Sequence, residues 1–193
     1  MGRQRTFDED HVLEQAMQLF WTKGFEHTSI QDVCEYAGVH RGSMYHTFGD
    51  KHELFLACLD RFRHTLRDRL FVQLEEPGDP REVLTRFFDT LIDRMLDENK
   101  QRRGCLIANT AMELAPLEPC VEVRVAANLL DMEHMFHAFL VRAQREGKLK
   151  SKHSLREMAR FLVTTKQGLH VMAKTTTDRK MLEDACKVAL SLV

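Results

Sequence analysis

Hydrogen-bond donors crowd into residues 40–46 of the chain. The donor side chains there are those of His40, Arg41, Ser43, Tyr45 and His46. Gly42 stands among them without a side chain, so the backbone at that point can approach another surface closely. Such donors on a helix suit the base edges of the DNA major groove, which present a distinct pattern for every base pair.

A pair of short predicted helices would position these donors. Ser29 and Asp32 resemble a capping box that opens the first helix, and a tight turn at Gly38 ends it. The second helix is predicted from Arg41 to Thr47. Two helices joined by a short turn with glycine form a helix-turn-helix, which places its second helix in the major groove. Spacing alone also fits two ordinary surface helices.

Further cations could reach the DNA backbone. Lys51 falls in the first turn of the next predicted helix, and Arg3 and Arg5 form a loose arm before the first. The net charge of residues 1–51 does not favour binding to nucleic acid. This segment holds five Lys and Arg against eight Asp and Glu, which gives a net charge of −3. Binding to DNA would therefore depend on where a few cations are placed.

The order of residues from about 7 to 60 resembles the N-terminal signature of the TetR family of regulators. The matching segments are Leu19-Phe20, Gly24-Phe25, Thr28-Ser29-Ile30, Ala37-Gly38-Val39, Gly42-Ser43-Met44-Tyr45, Phe48 and Lys51-His52-Glu53-Leu54. The resemblance implies DNA contacts from Ser29, Ile30, His40, Arg41, Gly42, Ser43, Tyr45, His46 and Lys51. Many members carry His where this chain has Thr47, whose hydroxyl can still bond a phosphate.

The predicted fold is all-α, with about nine helices. Residues 1–52 are predicted as a three-helix helix-turn-helix domain and residues 53–193 as a helical bundle for ligand sensing and dimerisation. Helical periodicity and capping signals predict helices over about 9–23, 30–37, 41–47, 51–72, 80–97, 105–114, from 116 or 119 to 146, from 151 or 154 to 174, and from 178 onward. No apolar run approaches a membrane span, and no secretory signal opens the chain, so we expect a cytoplasmic protein.

Cys105 is the sharpest local feature of the second half. The five cysteines are widely spaced without a Cys-x-x-Cys, which favours reduced thiols over disulfides or zinc. Cys105 follows Arg102-Arg103-Gly104 at a predicted helix start, and both surroundings favour the reactive thiolate. The alternative is a buried apolar cysteine. The segments 104–106 and 112–114 resemble a TetR branch that includes electrophile and oxidant sensors, and this resemblance places Lys174 beside Cys105.

The long helix after Pro119 carries an apolar stripe that includes Met132 and Phe136. Such a stripe is typical of plain core, although a flexible Met beside aromatic rings also suits an apolar ligand pocket. We expect an unidentified small-molecule effector. His134 and His137 lack an evident third ligand, so neither a metal nor a cofactor is predicted.

The last two predicted helices carry a large amount of apolar surface. The resemblance implies that residues 153–174 and 178–192 form a homodimer interface, which would match a palindromic operator. Burial inside the chain is the alternative. The apolar positions are Leu155, Met158, Leu162, Leu169, Met172, Met181, Leu182, Ala185, Val188, Ala189 and Leu192.

No nucleophile elbow, phosphate loop or run of metal ligands is present, so an enzyme is not expected. The predicted function is a sequence-specific DNA-binding regulator, most simply a repressor released by a small molecule or by thiol modification. The alternative is a helical interaction module that has lost DNA binding. The intact order of Arg41, Gly42, Ser43, Tyr45 and Lys51 speaks against that alternative.

Overall fold

A computed structural model describes residues 8–97, 102–191 and 193. Nine α-helices and one 3-10 helix are present in these ranges, which agrees with the predicted all-α fold. The chain divides into two compact units, one ending at His64 and one beginning at Thr65. The helices are α1 (Glu9–Lys23), α2 (Ile30–Ala37), α3 (Arg41–Phe48), α4 (Lys51–Arg69), the 3-10 helix (Phe71–Glu75), α5 (Pro80–Leu96), α6 (Leu106–Glu113), α7 (Pro119–Arg145), α8 (Leu155–Met172) and α9 (Arg179–Leu190).

The first unit packs α1 and α2 around an aromatic core. Phe20 of α1 meets Phe25 and Phe55, with ring centroids 6.0 and 5.1 Å apart. Between α1 and α4, Arg61 binds Glu14 at 3.0 Å and Asp10 at 2.7 Å. Apolar burial and this ion-pair cluster together fix the helices that carry the helix-turn-helix.

The predicted turn between α2 and α3 is confirmed in detail. Ser29 accepts a hydrogen bond from the Asp32 amide, and the Asp32 carboxylate accepts one from the Ser29 amide, so the capping box is complete. Gly38 ends α2 with φ 67°, a left-handed conformation in which glycine pays no side-chain penalty. Its N–H donates to the Cys34 carbonyl. The chain is thereby turned abruptly from one short helix into the next.

The second unit is a bundle in which α7 packs on α8 and α6, and α5 packs on α9. Its centre is a cluster of phenylalanines, Phe71, Phe87, Phe88 and Phe136, with centroid separations of 5.1 to 6.4 Å. Side-chain caps start three of its helices where the sequence predicts them. The cap residues are Asp79, Ser154 and Asp178.

Helix ends differ from the prediction at a few places. The fourth helix stops at Arg69 and the chain tightens into the 3-10 helix, instead of continuing to Val72. The long helix begins at Pro119, because residues 114–118 form a turn in which the Leu117 and Glu118 amides donate to the Leu114 carbonyl. The predicted domain boundary at residues 52 and 53 falls within the first turn of α4 and stays a prediction.

Candidate functional site

The exposed side of α3 carries the predicted donors. Arg41, Tyr45 and His46 are exposed, while Met44 is 1% exposed and anchors the helix to the core. Arg41 Nη2 donates a hydrogen bond to Tyr45 Oη at 3.0 Å, and the guanidinium carbon lies 5.3 Å from the ring centroid. This hydrogen bond raises the pKa of Arg41, so the cation is retained. The helix therefore presents a paired cation and aromatic ring outward.

Gly42 lies on the same exposed side. A methyl group added at its Cα would meet no atom within 4 Å. The protein itself therefore does not require a glycine at this position for packing. Close approach of another molecule is a sufficient physical reason for the missing side chain. Ser43 and Thr47 are half-buried, and His40 is exposed at the N-cap of α3.

The remaining described DNA-contact candidates lie at helix starts. Ser29 is exposed at the N-terminus of α2, whereas the side chain of Ile30 is 7% exposed and belongs to the core. A contact from Ile30 would have to use its backbone amide. Lys51 Nζ lies 4.1 Å from the Phe25 ring centroid, which holds this cation at the first turn of α4. Arg3 and Arg5 lie outside the described residues.

The helix α3 itself carries no acidic side chain. No Asp or Glu occurs from residue 36 to residue 49. The Asp32 carboxylate pairs with Lys23 at 3.2 Å, and its hydrogen bonds from Ser29 lower its pKa to about 2. Asp10 and Glu14 pair with Arg61. The net charge of −3 therefore does not come from α3, and three of the carboxylates that contribute to it are ion-paired.

Cys105 and Lys174, the predicted sensor residues, belong to neighbouring backbone segments. Cys105 is 1% exposed and occupies the N-cap of α6, where its thiol makes no capping hydrogen bond. Lys174 Nζ donates to Asn109 Oδ1 at 3.1 Å. A Cβ atom at Gly104 would lie 3.1 Å from Lys174 Cδ, so the lysine stem crosses the backbone next to Cys105. The fold is thus compatible with the resemblance, which places Lys174 beside Cys105.

Met132 and Phe136 are both buried in the second unit. Phe136 is 0% exposed and packs against three other phenylalanines. Met132 Sδ accepts a hydrogen bond from Gln167 Nε2 at 3.8 Å. These contacts account for both side chains as core, and a ligand-binding role for them stays a prediction.

Sequence reasoning missed two polar groups inside the second unit. Lys166 is 0% exposed, and its Nζ has no hydrogen-bond partner among the described residues. The Nδ1 atom of His170, one turn later on α8, is likewise buried and unpartnered within that part of the chain. The sequence does contain a signal for the burial of Lys166. This lysine falls four residues after Leu162 and three before Leu169, in the middle of the apolar stripe of α8.

The apolar stripes of α8 and α9 divide between the interior and the surface. Internal packing on other helices of the second unit buries Met158, Leu162, Leu169, Leu182 and Ala189. For these five residues the internal-core alternative is correct, because α8 lies on α7 and α9 lies on α5. Leu192 is outside the described residues. Large apolar side chains that remain exposed on the two helices are Phe161, Val171, Met172, Met181 and Val188.

Two family profiles match the chain. Residues 12–58 match the family described as bacterial regulatory proteins, tetR family, and residues 80–189 match the tetracyclin repressor-like C-terminal domain. Within the described residues, no helix has the combination of length and apolar composition that crossing a bilayer requires.

Relatives of known sequence align along nearly the whole chain. The HTH-type transcriptional regulator YezE of Bacillus subtilis is 30% identical over 100% of both chains. The HTH-type transcriptional repressor ComR of Escherichia coli is 27% identical over 99% of this chain and 91% of its own.

Solved structures share the fold from end to end. A cysteine mutant of the TetR family regulator CifR, complexed with a 26-bp operator duplex, superposes with a TM-score of 0.86 at 26% identity over 98% of each chain. Reduced NemR of E. coli has a TM-score of 0.83 at 20% identity and covers 95% of each chain, which shows the common fold. On the family profiles and the full-length match to YezE, this chain belongs to the tetR family of bacterial transcriptional regulators.

Proposed function

We propose that this chain is a repressor that binds a palindromic operator as a homodimer and releases it when an effector acts on the second unit. The observation that carries the proposal is the exposed Arg41–Tyr45 pair beside the open position at Gly42. The relatives support it, since ComR is a repressor by name and the CifR cysteine mutant is bound to operator DNA.

In this proposal α3 enters the major groove and reads base edges. Arg41 and Tyr45 face the bases, and Gly42 allows the backbone to approach. Lys51 and the N-terminus of α2 bind phosphates, which set the register of the helix on the duplex. A palindrome requires two copies of α3 about 34 to 36 Å apart, one helical turn of DNA.

The second copy would bind through α8 and α9. Val171 and Val188 are 45% and 70% exposed, and they lie on helices whose other faces are already buried. Large exposed apolar side chains on adjacent helices are typical of an interface between copies of a chain. We assign residues 1–52 to DNA binding and residues 53–193 to sensing and dimerisation.

Cys105 and Lys174 are the proposed sensor pair for electrophiles. An electrophile that alkylates Cys105 adds atoms at a position that is now 1% exposed, so α6 would have to move. Such a change releases DNA only if the modified form favours a spacing of the two α3 helices that does not fit the operator. The proposal includes no catalytic activity and places the protein in the cytoplasm.

The experiment that tests this proposal measures the affinity of the purified protein for DNA from its own upstream region at several salt concentrations. The expected result is tight, sequence-specific binding that weakens as salt rises, because phosphate contacts release counterions. Treatment with a reversible thiol reagent should abolish binding, and a reductant should restore it. A protein that folds and dimerises but binds none of a screened set of operators would instead support the helical interaction module.

A further inference from the structure

Lys166 is an anomaly in the core of the second unit. A buried ammonium without a partner is strongly unfavourable, so buried lysines are normally paired or neutral. Its Nζ has no hydrogen-bond partner and no carboxylate within ion-pair distance among the described residues. Burial lowers the pKa of Lys166. The amine of Lys166 is thus held in the interior without a hydrogen-bond partner in the part of the chain that the structure describes.

A second buried donor lies one turn from Lys166 on α8. His170 is four residues later on the same face of α8, and its buried Nδ1 is also without a partner in the described chain. Burial and the charge of Lys166 lower the pKa of His170 well below its usual value, so the ring is neutral and its Nδ1 can carry a proton to donate. Both side chains therefore present hydrogen-bond donors to the same part of the interior.

The start of α6 adds backbone donors to this neighbourhood. The helix packs on α8, and Cys105 at its N-cap lies within electrostatic range of Lys166. The thiol makes no capping hydrogen bond, so no side chain of the N-cap residue satisfies the amides of the first turn. A helix N-terminus attracts an anion. The buried Lys166, which has no partner among the described residues, attracts an anion independently of the helix.

We propose that Lys166, His170 and the first turn of α6 form a binding site for the carboxylate group of a small organic acid. One carboxylate would supply the missing counter-ion of Lys166 and accept hydrogen bonds from His170 and the α6 amides. The site rests on the proposed function, because it assigns the chemical class of a non-covalent effector beside the electrophiles proposed to modify Cys105. Its position next to Cys105 links occupation of the site to the segment that also carries the sensor thiol.

The test compares the wild-type chain with Lys166→Met, which keeps the length of the side chain and removes its charge. Lys152→Met, at an exposed lysine, is the matched control. The probes are acetate, butyrate and octanoate, because the structure defines the charged end of the ligand and not its length. Octanamide is the neutral control for octanoate. Binding is measured by calorimetric titration and by the shift in Tm.

At least one acid should raise the Tm of wild type and of Lys152→Met, and its affinity should fall by about tenfold or more in Lys166→Met, the scale of a lost charged hydrogen bond. Without ligand, Lys166→Met should be at least as stable as wild type, because it removes an unpartnered buried amine. Should the variant not fold, Lys166→Gln provides the same affinity comparison.

The proposal is overturned if no acid binds wild type, or if Lys166→Met binds it equally well. It is also overturned if Lys166→Met without ligand is less stable than wild type, since the amine would then already have a partner. Operator binding is measured on the same samples, so a failed acid site and a failed repressor are distinguished.

Discussion

Arg41 and Tyr45 stand one turn apart on the exposed side of α3, and the guanidinium donates a hydrogen bond to the tyrosine hydroxyl at 3.0 Å. Each side chain orients the other in the free protein. Little conformational freedom would then be lost when the pair meets a base edge, which favours binding.

Replacing either member of this pair should weaken operator binding and leave the fold intact. We expect Arg41→Ala and Tyr45→Ala each to lower affinity by about 5- to 150-fold, which corresponds to roughly 1–3 kcal/mol for a base contact. Fluorescence anisotropy with labelled operator measures the loss, and circular dichroism checks the fold. Arg81→Ala, at an exposed arginine of α5, is the control. Unchanged affinity in the Arg41→Ala, Tyr45→Ala double variant would favour the interaction-module alternative.

Gly42→Ala should separate stability from DNA binding. The added methyl group meets nothing within the protein, and alanine is a better helix former than glycine by about 1 kcal/mol, so the variant should be slightly more stable. Its operator affinity should nevertheless fall, because the methyl group separates α3 from the duplex. Gly38→Ala is the contrast, since φ 67° at that position costs a non-glycine residue about 1–2 kcal/mol. Gly42→Ala with full affinity would show that close approach is not needed there.

The Asp32 carboxylate should stabilise the first unit in a pH-dependent way. Hydrogen bonds from Ser29 hold its folded-state pKa at about 2, below the ordinary 3.8. The stabilisation is therefore complete above about pH 4 and is lost as the pH falls toward 2. Urea denaturation should show Asp32→Asn less stable than wild type at pH 6, with the difference closing between pH 4 and pH 2. A difference that stays constant over this range would contradict the assignment; Glu35→Gln is the control.

Val188→Asp should disrupt the dimer. The side chain is 70% exposed on α9, and a charge buried there between two copies would have no partner. Light scattering after gel filtration should give a monomer, and operator affinity should fall because the two half-sites are no longer bound together. Val123→Asp changes a valine that is 67% exposed on α7, and it should remain dimeric. A dimeric Val188→Asp protein would place the interface elsewhere.

Cys105→Ser should make operator binding resistant to thiol reagents. Alkylation of Cys105 adds bulk to a site with 1% exposure, and serine cannot be alkylated under these conditions. Cys120→Ser, which removes an exposed cysteine, should behave like wild type. Mass spectrometry identifies the modified residue while anisotropy follows release. Release of Cys105→Ser at the wild-type dose would refute the sensor role.

The sequence by itself determined the helices and the recognition turn, since the signals that set them are local. The Ser29–Asp32 capping box, the left-handed glycine at Gly38 and the caps at Asp79 and Asp178 act within a few residues of the chain, so the predicted starts agree with the structure. The donors of α3 were found for the same reason.

Only the tertiary structure decided what covers each helix face. Helical periodicity groups Leu162, Lys166 and Leu169 on one side, but it does not say that packing on α7 and α6 leaves Lys166 with no exposed surface. The contact of Lys174 with Gly104 and the enclosure of Phe136 by other aromatic rings join residues far apart in sequence. Such contacts follow from how helices pack, which no local pattern specifies.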